Sequence, residues 1–498
     1  MRVHIAMTVV LCFALCHASP AAAAAQRFRF TNATSSSRFF TLGTQGGHGV
    51  QSADATGDDW VDLYVTNIFN PGENRPDLFF VNQGDGTFHE QGSRAGVSDD
   101  GFYQRVSEES HAAVFADLDN DGDFDLFNAH TWSGNHKLYE NNGSGGFTDV
   151  TARSGIEIDR GEPRGVAAGD INGDGFYDLV VSAWAGLPIH VYFGRGNLSF
   201  GRPTLLLGRG ATLANQGIML VDYDGDADLD LATTGHMVVG GNVGPIALFR
   251  NDGRGNFADV TESSGIQFEN EGANGWSFGD LDNDSDLDAV IVGQHRSKVY
   301  INVGGGRFRF QQVLDRGNFT AALGDFDHDS DIDIYIGGAE AIYRNDGSAS
   351  FELIQDIGIA RPGADGRGTA VVDVDRDGDL DIVLVSKRGH NTLYRNEVND
   401  SNWLQVRLIG PRGDKGAFGA KVYVYDSRHV ENPSYLRGYR EARGATGYCS
   451  QDTPVLHFGV TGGEAYDVKA VFMDGTFFIA KGVVAPAEIV IDPNAPIR

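Results

Sequence analysis

The stretch FADLDNDGDFDLF, from Phe115 to Phe127, places Asp117, Asp119, Asp121 and Asp125 at steps 1, 3, 5 and 9 of a short acidic run, with Gly122 at step 6. A tight loop needs a residue tolerant of positive φ at such a point, and glycine has it at no steric cost. Carboxylates this close repel one another unless a cation sits among them. Ca²⁺ suits the pattern because it takes roughly six to eight hard oxygen ligands in flexible geometry, and acids at alternating steps of a tight loop can converge on one centre. The residues that follow, Leu126 and Phe127, are apolar strand material.

The unit recurs seven times, starting at Asp54, Asp117, Asp170, Asp222, Asp280, Asp325 and Asp373, at intervals of 63, 53, 52, 58, 45 and 48 residues. Loop one offers Asp54, Thr56, Asp58 and Asp62, with Asp59 at step 6, and is expected to be the weakest site. Loop three offers Asp170, Asn172, Asp174 and Asp178, an amide oxygen replacing one carboxylate. Loop four offers Asp222, Asp224, Asp226 and Asp230, but carries Ala227 at step 6 and its glycine at Gly225, so its backbone path is left open. Loop five offers Asp280, Asp282, Asp284 and Asp288, loop six Asp325, Asp327, Asp329 and Asp333, and loop seven Asp373, Asp375, Asp377 and Asp381. Up to seven Ca²⁺ ions are therefore expected. Acidic turns on a solvated surface would explain the charge but not the fixed placement.

The chain has 498 residues, 68 Asp and Glu against 39 Lys and Arg, and a net charge of −29, which makes polyanions such as nucleic acid poor partners. Much of the excess is local: 26 carboxylates occupy steps 1, 3, 5 and 9 of the seven loops. Residues 1–25 read as a secretory signal, with Arg2, an apolar run from Ile5 to Cys16 and small residues after it. That run is too short to span a membrane, and no transmembrane segment is expected. Its removal takes Cys12 and Cys16 and leaves Cys449 alone, so no internal disulfide can form. The expected location is extracellular, or periplasmic in a bacterium, where calcium can replace a disulfide as the staple.

Between loops the chain repeats one grammar: an apolar strand, a variable connection, an aromatic strand, a turn of Asn and Gly, and a strand opened by Phe, as in LYENNGSGGFTDVT from Leu138 and LFRNDGRGNFADVT from Leu248. Each repeat supplies four short strands, the content of one propeller blade. The fold class expected is all-β: a seven-bladed propeller over 26–398, followed by a small β-sandwich-like domain over 402–498. The seventh repeat stops at LYRNE, residues 393–397, while FTNATSSS from Phe30 matches FTDVTARS from Phe147, so the N-terminal strand is expected to complete blade seven as a clasp.

These repeats resemble FG-GAP/VCBS repeats, the blades of integrin α-subunit heads. The segments NWLQVRLIG, GAFGAKVYVYD, GYCSQ, LHFG and MDGT resemble the ASPIC/UnbV domain. The combination is similar to the cartilage acidic protein family, and the resemblance implies calcium-loaded blades and a role in extracellular adhesion or matrix interaction.

Other motifs read more plainly. GWSFG, residues 275–279, has the form of a hydrolase elbow but leads straight into loop five, so Ser277 is a strand residue. Arg412-Gly413-Asp414 reads as a turn, and Asn32, Asn142, Asn197, Asn318 and Asn399 head glycosylation sequons. Counting six residues back from each loop gives His48, His111, Arg164, Gln216, Asn274, Phe319 and Arg367, each followed by Gly or a small residue. Ring closure would set them around the channel mouth opposite the acidic loops, with His130, Trp132, Trp184, His236, His295 and His390 nearby. The six polar ones, His48, His111, Arg164, Gln216, Asn274 and Arg367, are the candidate ligand-binding residues, for a glycan or an extracellular protein. A binding module is expected, with an extracellular carbohydrate-active enzyme, a lyase or hydrolase, as the alternative. No catalytic residue is assigned.

Overall fold

The computed structural model describes residues 28–39, 47–67, 76–98, 109–131, 136–156, 163–183, 188–206, 215–235, 246–268, 272–359, 366–387 and 389–495. Trp132, Trp184 and His236 lie outside the described residues, as does the side chain of Gln216.

Seven four-stranded antiparallel units follow one another along the chain. Blade two is representative: Glu109–Ala116, Asp125–Thr131, Lys137–Asn141 and Phe147–Asp149 pair in sequence order. The first strands touch their neighbours in order, and Gly366–Val372 of blade seven touches Gly49–Ala53 of blade one, which closes the ring. Because each sheet is covered on both faces by its neighbours, inner strands are buried at every position, as in Asp62–Thr66, Asp230–Gly235 and Asp288–Gly293. Runs of apolar residues there need no polar alternation. The clasp is present: Phe30–Asn32 pairs with Thr392–Asn396, with Phe30 opposite Asn396 and Asn32 opposite Tyr394.

A second closure comes from an asparagine. Asn141, at the end of the third strand, donates its backbone N–H to Asp125 Oδ1 at 3.0 Å. Its side-chain amide donates to Phe124 O at 2.9 Å and, across the blade junction, to Ala55 O at 2.8 Å. Asn251, Asn302, Asn345 and Asn396 repeat the reach to the preceding blade, at Ile171, Tyr223, Leu281 and Phe326. Asn82 reaches Val374 O of blade seven at 2.8 Å and seals the ring. Blade three has Gly194 at this position, which keeps the backbone bond to Asp178 but has no side chain to cross the junction. The Asn-Gly turns read from the sequence thus begin with the residue that ties blade to blade.

The C-terminal region forms two further sheets around one core. One holds Leu456–Gly459, Trp403–Leu408 and Ala487–Ile491, and the other Leu436–Glu441, Lys421–Asp426, Ala465–Val471 and Phe477–Val484. Leu404, Val406, Val422, Val424, Phe458, Val468 and Ile491 from both sheets pack together. One short piece belongs to neither sheet: Ser450–Gln451 adds parallel to Gly49–Ala53 of blade one.

That piece fills the centre of the ring. The first strand of a blade is a sheet edge with unpaired backbone groups, and such groups need partners when buried. Here the C-terminal segment supplies them: Val50 N–H donates to Cys449 O at 3.1 Å, Thr369 N–H to Ser450 Oγ at 3.0 Å and Val371 N–H to Asp452 Oδ1 at 2.8 Å. Gln451 pairs its side-chain amide with both backbone groups of Phe115, at 2.9 and 2.8 Å. Gly49 is small by necessity, since a Cβ there would stand 2.5 Å from Cys449 O.

Candidate metal loops and the filled channel

Each acidic loop joins the first and second strands of its blade, and the step-9 acid is the first residue of the second strand. The step-1 carboxylate folds the loop over itself. Asp117 Oδ1 accepts from Asp121 N–H and Oδ2 from Gly122 N–H, both at 3.1 Å. Asp222, Asp280 and Asp325 do the same for their own steps 5 and 6. The step-9 carboxylate holds the other end: Asp125 Oδ2 accepts from Leu118 N–H at 3.1 Å while Oδ1 takes Asn141 N–H.

Two positions in every loop are left-handed. Step 6 has positive φ at Asp59 (71°), Gly122 (95°), Gly175 (84°), Ala227 (72°), Ser285 (74°), Ser330 (81°) and Gly378 (94°). Step 4 has it too, at Gly57 (71°), Asn120 (60°), Gly173 (72°), Gly225 (79°), Asn283 (62°), His328 (56°) and Arg376 (58°). Loop four therefore follows the common path: Gly225 occupies the other left-handed position, and Ala227 carries a strain on the order of 1–3 kcal/mol.

In five loops the acids at steps 1, 3 and 9 converge, with ligand oxygens within 4.8 Å of one another: Asp117, Asp119 and Asp125; Asp222, Asp224 and Asp230; Asp280, Asp282 and Asp288; Asp325, Asp327 and Asp333; Asp373, Asp375 and Asp381. The step-5 acids Asp121, Asp226, Asp284, Asp329 and Asp377 stand outside these triads. Loops one and three lack a third acid, because Thr56 and Asn172 hold step 3. Thr56 Oγ1 donates to Asp62 Oδ2 at 3.1 Å, and Asn172 Nδ2 donates to Asp174 Oδ2 at 3.1 Å, so both turn to a neighbouring carboxylate. Asp54 accepts Asp58 N–H, and Asp170 accepts the N–H groups of Asp174 and Gly175, so both loops keep the frame.

The loops are electrostatically unbalanced. Burial, with repulsion from the other acids of the loop added, pushes Asp125, Asp178 and Asp288 up to about 8 and Asp230 to about 9. The same causes raise Asp117, Asp280 and Asp325 to about 7. The Oδ1 atoms of Asp119, Asp224, Asp282, Asp373 and Asp375, and Oδ2 of Asp230, are buried without a hydrogen-bond partner. Buried polar atoms normally find one. Hard anionic oxygens, converging and short of partners, fit a hard cation such as Ca²⁺.

The C-terminal sheets lie across this acidic rim. Lys415 Nζ meets Asp54 Oδ2 at 3.1 Å and its backbone N–H meets Asp117 Oδ2 at 2.9 Å. Lys421 Nζ bridges Asp222 Oδ2 at 2.5 Å, and Gln405 Nε2 donates to Asp373 Oδ2 at 2.7 Å. His328 Nδ1 pairs with Asp400 Oδ1 of the linker at 2.8 Å. Arg412-Gly413-Asp414 faces inward: Arg412 donates to Asp174 O, and Asp414 Oδ2 accepts Tyr177 Oη–H at 3.0 Å. Ser277 sits within Ala273–Gly279 and donates to Ala321 O at 2.6 Å, an ordinary strand role.

At the opposite mouth the structure gathers His48, His111, Arg164, Asn274 and Arg367 around Tyr448. His48 Nδ1 donates to His111 O at 3.2 Å, which leaves Nε2 to accept the Tyr448 hydroxyl at 3.0 Å. Arg164 Nη1 donates to His111 Nδ1 at 3.2 Å, and Cys449 Sγ donates to Arg164 O at 3.0 Å. Phe319 lies 5.1 Å from the Tyr448 ring and 3.8 Å beneath the Arg367 guanidinium. His48, His111 and Asn274 are buried, so the mouth is filled by the chain itself and is not an open polar cup. Burial and the nearby arginines hold both imidazoles well below their usual range. Burial also pushes the Cys449 thiol up to about 12. His130 is buried as well, with Nε2 3.4 Å from Ser110 Oγ, while His295 and His390 are exposed.

Sequence reasoning missed the junction asparagines and the plug. A signal for the second was present: GATGYCSQDT, from Gly444, has neither strand alternation nor acidic-loop spacing. Residues 402–498 also hold eleven Lys and Arg against ten Asp and Glu, so this region is nearly neutral while the ring carries the negative charge.

The FG-GAP-like repeat family matches residues 117–181, 280–336 and 325–384, and the ASPIC and UnbV family matches residues 410–495. The chain is an FG-GAP-repeat protein with a C-terminal ASPIC/UnbV domain. It is similar to cartilage acidic protein 1 of Homo sapiens, 28% identical over 258 residues, and of Mus musculus, 27% identical over 259 residues; each match covers 47% of this chain and 38% of the relative. Among solved structures it is similar to an Agrocybe aegerita lectin that recognises non-reducing terminal N-acetylglucosamine, with a TM-score of 0.41, 18% identity and coverage of 75% of this chain and 94% of the lectin. It is also similar to a periplasmic gluconolactonase of Pseudomonas aeruginosa, with a TM-score of 0.41, 12% identity and coverage of 63% and 86%. Among the described residues no helix of this FG-GAP-repeat chain is long and apolar enough to cross a membrane.

Proposed function

We propose that this FG-GAP-repeat protein is an exported, calcium-stabilised β-propeller that acts as an adhesion or ligand-binding module toward an extracellular glycan or protein. The division proposed with it is a signal peptide at 1–25, a propeller over 26–398 and a C-terminal domain over 402–498. The observation that carries the calcium part is the set of five acid triads, four of which hold buried carboxylate oxygens without a hydrogen-bond partner. Ca²⁺ is the proposed resident ion, at up to seven loops, and the step-1, 3, 5 and 9 residues are its proposed ligands. Among the described residues the one cysteine, Cys449, is free and buried, and ions at the rim would supply cross-links within each blade in place of a disulfide. Because the buried mouth residues are covered by the chain, the ligand is proposed to meet the part-exposed Arg164 and Arg367 at the rim of the mouth, where the Arg367 guanidinium lies over the Phe319 ring. Such a pairing of polar groups and rings suits sugar or peptide recognition.

The test is a screen of glycans and matrix proteins against the full chain, with calcium and with chelator, repeated for an Arg164→Ala, Arg367→Ala variant. The expected result is calcium-dependent binding that the double variant loses while its melting temperature in calcium is kept. Binding indifferent to chelator overturns the calcium dependence, and binding indifferent to the double variant moves the site away from the mouth.

A further inference from the structure

The seven loops share a frame but differ in what stands beside it. The residue before the junction asparagine on the third strand differs from blade to blade, and where it is arginine it reaches the loop of its own blade. In blades four, six and seven it is Arg250, Arg344 and Arg395; in blades two and five it is Glu140 and Ile301.

Each arginine takes hold of the step-3 and step-5 carboxylates. Arg250 Nε meets Asp224 Oδ2 and its Nη2 meets Asp226 Oδ2, both at 2.7 Å. Arg344 Nε meets Asp327 Oδ2 at 3.2 Å and its Nη2 meets Asp329 Oδ2 at 2.5 Å. Arg395 pairs closely with Asp375 and stands 3.7 Å from Asp377 and 3.8 Å from Asp381. In loop two, Glu140 turns outward to Arg153 at 2.8 Å and adds negative charge near Asp119. Among the described residues no cation bridges Asp119, Asp121, Asp282 or Asp284.

From this we propose that the chain carries two classes of cation site, a tight class at loops two and five and a weak class at loops four, six and seven, sorted by the arginine on the third strand. The inference rests on the calcium reading of the loops. Ca²⁺ gathers roughly six to eight oxygens, so a three-acid cluster is short of ligands and the step-5 carboxylate must swing in to complete it. In loops two and five Asp121 and Asp284 have no cation to leave. In loops four and six the step-5 acid is held by a charge-assisted bond to a guanidinium, and in loop seven Arg395 pairs with the step-3 acid Asp375 and stands 3.7 Å from Asp377, so an ion there competes with the guanidinium for these acids. The same guanidinium offsets the repulsion that makes the empty loop costly, so it lowers the gain from binding while keeping the loop in shape. Other cations do not produce this sorting. Lys415 favours loop one, Lys421 adds to Arg250 at loop four, and the field of Arg440 reaches both Asp280 of loop five and Asp325 of loop six.

The experiment is calcium titration of the full chain by calorimetry, with terbium luminescence as a second readout. The wild type is expected to show two tight sites separated from the rest by at least about tenfold in affinity. Arg344→Gln and Arg395→Gln should each raise the number of tight sites to three, with a smaller gain for Arg250→Gln because its side chain is the most exposed of the three, at 51%. Glu140→Arg installs the arginine in loop two, at a surface position that tolerates it, and should leave one tight site. A single affinity class that neither Arg344→Gln nor Glu140→Arg alters would overturn the sorting while leaving the calcium reading in place. Absence of any calcium binding would overturn the calcium reading itself.

Discussion

On the acidic rim every blade builds its loop from its own residues, whereas at the opposite mouth the first strands meet a segment far along the chain: His48 and Tyr448, 400 positions apart in sequence, share a 3.0 Å hydrogen bond. The first rim is a repeated local solution, with steps 4 and 6 left-handed, steps 1 and 9 folding the backbone, and oxygens left over for an ion. The second is a single long-range solution, in which one inserted strand satisfies the inner edges of blades one, two and seven at once. Charge left over at one rim calls for an ion, while backbone groups left over at the other are met by the chain itself. The two rims should therefore answer to different perturbations.

Calcium removal should have the largest effect and should act through the acidic rim. At millimolar Ca²⁺ and affinities typical of extracellular modules, each site adds ~0.4–1.4 kcal/mol by mass action, or roughly 2–7 kcal/mol for five triads. Chelation is expected to lower the melting temperature by about 2–7 °C in calorimetry. A melt that chelator leaves unchanged would break the comparison at its first term.

A pair of substitutions sharpens it within that rim. Asp125→Ala orphans the N–H groups of Leu118 and Asn141 and dismantles a triad. Asp62→Ala orphans those of Ala55, Thr56 and Asn82, in a loop whose step-3 hydroxyl already bonds to the acid. Each buried orphan costs about 1–3 kcal/mol, so in chelator Asp62→Ala should cost at least as much as Asp125→Ala. Calcium should add to the cost of Asp125→Ala by about the worth of one site and leave that of Asp62→Ala alone. Equal calcium increments for the two variants in urea melts would show that loop one binds like loop two.

How far each rim was legible follows from the same contrast. The loops, the repeated four-stranded unit, the clasp of Phe30–Asn32 and the strand role of Ser277 could be read from spacing, because each depends on residues near one another or on a repeat that exposes what is missing. The small residue after His48, Arg164 and Asn274 was visible, but its reason was not: at Gly49 it makes room for Cys449 O. The docking of Lys415 and Lys421 on the first acids of loops one and four, and the burial of His48 and His111 under Tyr448, depend on contacts across most of the chain. No local pattern encodes them. Asn141 and its counterparts were hidden by a correct turn reading, since the residue that opens an Asn-Gly turn also crosses the blade junction.

Acid should probe the mouth. Burial, and then the charges of Arg164 and Arg367, hold His48 well below the usual imidazole range, and burial with Arg164 does so for His111. For a histidine whose folded pKa is depressed, the stabilising contribution is complete above the unfolded value near 6.5 and is lost as pH falls toward the folded one, because only the unfolded chain takes up the proton. Stability in constant calcium should therefore fall below about pH 6.5, by up to about 1.4 kcal/mol per pH unit for each ring. A His48→Gln, His111→Gln variant should show a shallower slope between pH 6.5 and 5 in urea melts. An identical slope would mean that the rings accept protons in place.

The smallest effect expected is that of Tyr448→Phe, and it tests whether the rims are independent. The substitution keeps the ring against Phe319 and removes only the hydroxyl that donates to His48 Nε2. Because His48 Nδ1 is already committed as donor to His111 O, Nε2 is left as a buried acceptor with nothing to accept. The cost should be about 1–3 kcal/mol, because His48 Nε2 is left without a donor and the Arg367 guanidinium, which also bonds the hydroxyl, loses an acceptor. It should be the same in calcium and in chelator, since the hydroxyl lies at the mouth away from the acidic loops. The plug, however, belongs to the same domain as Lys415, Lys421 and Gln405, which touch the step-1 acids of loops one, two, four and seven. If Tyr448→Phe instead changes the size of the calcium-dependent shift in melting temperature, the plug transmits between mouth and loops, and the ring works as one coupled body with two linked ends.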